Sequence, residues 1–106
     1  MFKAMILLKR KEGMSFDAFA HWWLNDHAPL ARSLPGLKQA VFNLVQGDAN
    51  GDYDGVSELW FDSESDFTNA YATDIGQRVA ADSMSKVSRR DRLFVREIRL
   101  LPMSDE

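Results

Sequence analysis

The sequence contains no cysteine. That excludes a disulfide scaffold, a thiol nucleophile and every thiolate metal site. Proline is scarce, at three residues, and glycine is little more common at six. No linker, repeat or low-complexity segment stands out. No apolar run approaches the ~20 residues that a membrane-spanning helix needs. An excess of one charge is also missing. The 13 Lys+Arg stand against 16 Asp+Glu, a net charge of −3, which gives nonspecific nucleic-acid binding no support. Neither a Gly-rich phosphate loop nor a G-x-S-x-G nucleophile elbow occurs.

What is present suits a globular domain. The 106 residues fit one domain spanning 1–106, with 45% hydrophobic, 27% charged and 11% aromatic residues. A chain of this size buries roughly 65% of its unfolded surface, so one core is feasible without a metal or disulfide staple. The N-terminal apolar run is followed, not preceded, by Lys9-Arg10-Lys11. That order argues against an export signal and for a soluble cytoplasmic protein.

Met1–Lys9 is apolar on both parities, the pattern of a strand covered on both faces. Ser15 is placed to cap a helix, with Asp17 in its first turn. Phe16, Phe19, Ala20, Trp23, His27, Leu30, Ala31 and Leu34 continue one helical stripe. His21 falls about 120° away from it, on a wetter side. Pro29 lacks an amide proton and should loosen the helix near Asn25 and Asp26. Leu37–Gln46 and Val56–Phe61 read as a hairpin around the Asp- and Gly-rich turn 47–55. Ser63 and Asp66 form a capping pattern, and Asp74 restarts a helix running toward Val87. Asp91–Leu101 reads as the fourth strand, and Arg89-Arg90-Asp91-Arg92 as a basic, solvated loop entering it.

The order β-α-β-β-α-β predicts an α+β fold, the ferredoxin-like arrangement with both helices on one face of a four-stranded antiparallel sheet. Strands apolar on both parities leave the other face uncovered in a lone protomer. A homodimer joined sheet to sheet, a dimeric α/β barrel, resolves this.

His27 is the leading candidate for chemistry, since a histidine on an apolar stripe is partly desolvated and suited to acid–base work. A core histidine with both ring nitrogens satisfied is the plainer reading. His21 and His27 lie six apart, which does not suit ligation from one helix face, and no metal site is expected. Asp48, Asn50, Asp52 and Asp54 alternate like a calcium loop, but Tyr53 and Leu59 stand where Gly and Glu are required. A hairpin turn explains them. Glu58 and Glu97 lie within predicted strands. Either one meeting His27 across the helix–sheet cleft would complete an acid–base pair. Trp23, Leu30, Phe42 and Trp60 are candidate ligand-lining residues, and equally plausible core residues.

The run His21-Trp22-Trp23-Leu24-Asn25-Asp26-His27-Ala28-Pro29-Leu30-Ala31, with Leu34-Pro35-Gly36-Leu37, resembles the signature of the EthD family. Asp54–Ser63 and Leu93–Glu97 resemble it more softly. The resemblance implies a dimeric α/β barrel, and it maps the family's histidine before Pro-Leu onto His27 and its Trp-Phe strand end onto Trp60-Phe61. Ala40 departs from the family, which often has Tyr there. That substitution implies a lost ligand contact or a wider pocket.

The expected function is the binding of a small apolar organic molecule in a helix–sheet pocket. His27 moves a proton, oriented by Glu58 or Glu97, in an isomerase, dehydratase or cyclase reaction without a cofactor. The alternatives are a cofactor-free or haem-dependent monooxygenase with His27 as axial ligand, or a non-catalytic protein that protects or delivers a ligand.

Overall fold

The computed structural model describes residues 1–46 and 51–102. The expected positions Asp48 and Asn50 of the Asp-rich turn, and the acidic tail from residue 103, lie outside them. The apolar N-terminal run forms β1 (Phe2–Arg10). Ser15 caps α1 (Phe16–His21) by accepting a hydrogen bond from the Ala18 N–H. The chain then passes without a break into a π-helical turn (Trp22–His27) and α2 (Ala28–Ala31). Two short strands follow, β2 (Gln39–Leu44) and β3 (Gly55–Phe61). The Ser63 hydroxyl caps α3 (Glu64–Ala72), Thr73 caps α4 (Asp74–Met84), and β4 (Val87–Val95) completes the sheet.

The sheet runs β2-β3-β1-β4, every pair antiparallel. It is the expected α+β, ferredoxin-like arrangement. Register divides each strand between two faces. Phe42, Ser57, Ile6 and Arg92 form one row across the helix-covered face, and Leu44, Gly55, Leu8 and Arg90 form the next. Between this face and the helices lies the core, which includes Ala4, Leu8, Phe19, Trp23, Leu59, Phe61, Phe67 and Val79.

Three expectations about boundaries are corrected. The fourth strand is Val87–Val95, not Asp91–Leu101. Strand β1 is its template, pairing from Arg10 opposite Val87 to Lys3 opposite Val95. Past Val95 the template is exhausted, so Ile98, Leu100 and Leu101 are exposed despite their strand-like composition. Arg89–Arg92 therefore belongs to a strand, not a loop. The helix before it stops at Met84, and Leu37 and Lys38 precede β2.

The uncovered face carries Val41, Glu58, Met5 and Leu93 in one row and Gln39, Trp60, Lys3 and Val95 in another. Leu93 and Val41 are exposed there. The Lys3 ammonium lies 2.8 Å from Glu58 and 4.6 Å from the centre of the Trp60 ring. Hydrogen bonds from Lys3, then from Asn43, hold the Glu58 carboxyl below its ordinary pKa, outweighing the opposing effect of burial. A depressed carboxylate pKa adds stability above the unfolded value, near 4.5, that is lost as pH falls through the folded value. Urea midpoints should therefore fall on acidification below about pH 4.5. Glu58→Gln should flatten that slope by an amount worth about 1 kcal/mol or less.

Candidate functional site

Pro29 has no N–H to donate to the carbonyl of Asn25, so the α-helical ladder cannot continue there. The chain answers with a π turn, in which the Ala28 N–H reaches back five residues to the Trp23 carbonyl. Such turns are rare, and frequent at functional sites. The wider turn brings residues five apart together: the Trp22 and His27 rings lie 5.0 Å apart. As a result Trp22, Trp23 and His27 are all buried. His21 is exposed, as expected, and its Nδ1 faces Asn25.

His27 is only 6% exposed. Its Nδ1 lies 2.8 Å from Asp82 Oδ2 on α4. The Trp22 indole N–H donates to the same carboxylate, at 3.2 and 3.4 Å from its two oxygens. Asp82 is thus held from two sides and holds His27 in turn. With the imidazole neutral, the Nδ1–H donates to the carboxylate and the lone pair is on Nε2. Nε2 has no hydrogen-bond partner among the described residues, and no buried side-chain nitrogen or oxygen there is left unpaired. His27 also lines a slot between the helices and the sheet.

That slot is narrow, a cavity of about 30 Å³ at the base of a recess that is partly open to solvent. Trp23, Phe42, Leu59 and Val79 supply apolar walls, and Tyr71, Ser57, Ser83 and Arg90 add polar groups. Trp23 and Phe42 stack on one another at 4.3 Å and 12°, and Trp23 is fully buried. Burial raises the Tyr71 phenol above its ordinary pKa, against the lowering effect of Arg90 and Arg92. A shallower apolar cleft, sharing Phe42 and Ala31 with the slot, is lined by Ala40 and Leu24. Among the described residues no three His, Cys, Asp or Glu side chains gather as a metal site would need.

The structure brings His27, Trp23 and Phe42 together and separates the other expected site residues. Glu58 and Glu97 do not meet His27. Each pairs with Lys3 on the opposite face of the sheet, at 2.8 and 3.8 Å. Trp60 is there too, its indole N–H 3.4 Å from Glu97, because strand residues one apart point to opposite faces. Leu30 packs against the core without lining the slot. The carboxylate facing His27 is Asp82, which no sequence motif singles out. Its only local signal is its place beside Val79 and Ser83, at the margin of the buried face of α4.

A family model described as the EthD domain matches residues 11–87. The chain belongs to the EthD family. Within it, an EthD family protein from Bacillus halodurans C-125 is similar in structure, at 25% identity and a TM-score of 0.80, covering 92% of this chain and 99% of that one. A dimeric ferredoxin-like protein of unknown function from Thermobifida fusca shares 18% identity, with a TM-score of 0.72 over 89% and 88% of the two chains. A protein described as an antibiotic biosynthesis monooxygenase shares 12%, with a TM-score of 0.69 over 93% and 100%. At such identities the last two show the shared fold alone. No curated protein matches this EthD chain. None of its helices among the described residues is long and apolar enough to cross a membrane.

Proposed function

We propose that this EthD chain is a small acid–base enzyme of a degradative or biosynthetic pathway. It acts on a small, largely apolar organic molecule held in the slot beside His27. One observation carries the reading: a buried histidine, fixed at Nδ1 by a carboxylate and with Nε2 unpaired among the described residues, lines the slot between helices and sheet. The chemistry that follows is proton transfer. Nε2 takes a proton from carbon next to a carbonyl, and the C–H electron pair moves to the carbonyl oxygen as the enolate. The imidazolium, stabilised by Asp82, returns the proton at the same or a neighbouring position. Isomerisation, dehydration and ring closure are all built from this step.

Isotope exchange tests this on simple model compounds. The protein is incubated in D2O with a panel of small cyclic ketones and lactones, and deuterium entry next to the carbonyl is followed by NMR. Catalysed exchange on at least one compound is expected. If ligands bind in the slot but none exchanges, a non-catalytic binding protein replaces the enzyme.

The protomer is proposed to act as a cytoplasmic homodimer joined through the uncovered sheet face, where Met5, Leu7, Val41 and Leu93 meet no helix. The structural relative from Thermobifida fusca is itself described as dimeric. Sedimentation at micromolar concentration should give a dimer, and Leu93→Glu should shift it toward monomer. A wild-type monomer at that concentration rejects the arrangement.

A further inference from the structure

The electrostatics of the slot point to the charge of its ligand. His27 and Asp82 neutralise one another when the histidine is protonated, and Asp82 is further satisfied by Trp22. Arg90 has no such partner. It lies on the helix-covered face of β4, opposite Leu8, is half-buried, and lines the slot. Among the described residues its guanidinium makes no hydrogen bond or ion pair. Arg92, two residues on along the same face, likewise has none. Both are close enough to the buried Tyr71 phenol to act on it electrostatically. This chain carries more acidic than basic residues. Even so, no carboxylate among the described residues answers either of these two arginines. An arginine left unpaired in a partly enclosed slot is best satisfied by an anion that completes it. Guanidinium presents parallel donors that match a carboxylate in two-point contact.

We infer that Arg90 is the specificity-determining residue of the slot and that the ligand carries a carboxylate. That carboxylate pairs with Arg90 in the slot that His27 also lines. Arg92 lies further out on the same face and draws the anion in without fixing it. The inference rests on the slot being the ligand site, and it adds the ligand's charge and the residue that reads it.

The experiment uses two small probes of the same shape, propionate and propionamide, titrated calorimetrically into wild type, Arg90→Gln, Arg90→Lys and Arg92→Gln. Wild type should bind the carboxylate about 10- to 100-fold more tightly than the amide, the range of a charge-assisted contact. Arg90→Gln should abolish that preference by weakening the carboxylate alone. Arg90→Lys should keep part of it, and Arg92→Gln should change it less than Arg90→Gln does. Equal binding of the two probes by wild type, or a preference that survives Arg90→Gln, overturns the role of Arg90 while leaving the slot as a ligand site. Loss of both probes in Arg90→Gln and Arg90→Lys alike, with unchanged melting temperatures, also overturns it, because a charge-reading residue spares the neutral amide. Failure of either probe to bind wild type removes the slot reading and the inference together.

Discussion

Replacing His27 by alanine should lower proton exchange on any accepted compound by about 10²- to 10⁴-fold, the usual contribution of a positioned acid–base group. Asp82→Asn should give a loss of similar order through a different route. The asparagine keeps the shape and can still accept from the Trp22 indole. It can also offer an amide hydrogen to Nδ1, where the carboxylate only accepts. That would move the imidazole proton to Nε2 and take away its lone pair. Nitrogen chemical shifts of His27 should report the exchanged tautomer in Asp82→Asn. The double variant should be scarcely worse than either single one, since the two residues act as a unit. An Asp82→Asn protein with wild-type exchange and the Nδ1–H tautomer retained would free Asp82 from the mechanism.

The largest effect on stability is expected at Gly76. Alanine normally improves a helix by up to about 1 kcal/mol over glycine. Here the added Cβ would collide with the Ala70 carbonyl oxygen and stand 2.5 Å from the Tyr71 Cα. Both are backbone atoms, and neither can swing aside as a side chain would. Overpacking of this kind costs about 3 kcal/mol or more, so the clash outweighs the helix gain by about 2 kcal/mol. That corresponds to a fall of roughly 8–16 °C in the melting temperature of a domain this size. Because α3 would be pushed from α4, and α4 carries Asp82, the His27–Asp82 contact should loosen as well. A thermal melt checks the first effect and the His27 nitrogen shifts the second. A melting temperature within 2 °C of wild type would show that the junction yields.

Local signals place the helices well because each is written in neighbouring residues. Ser15 and Ser63 are short polar side chains just ahead of apolar periodicity, and both cap as their spacing predicts. Pro29 announces a disturbed helix, and the π turn lies at the residues just before it. What the disturbance does is not legible locally. Straight α-helical extrapolation leaves Trp22 off the buried stripe, whereas the wider turn carries it onto His27. The bounds of the fourth strand escape for a related reason. Ile98, Leu100 and Leu101 have the composition of a strand, but a strand ends where its partner ends.

The carboxylate partner shows the limit most clearly. Glu58 and Glu97 stand out because a carboxylate within a predicted strand is conspicuous, while Asp82 sits in a span where Gly76 and the serines from Ser83 to Ser88 blur the helix. Whether a strand residue faces the helices or the open side depends on register, and one step reverses it. Asp82 and His27 are 55 residues apart, and no spacing rule reaches that far. The chain on its own determined the order of elements, the α+β class and the histidine on the buried stripe, since periodicity and capping act over a few residues. Only the tertiary structure decided which acid answers that histidine, which arginine stands unanswered beside it, and which tryptophan belongs to the other side of the sheet. Those pairings depend on how distant segments cross in space.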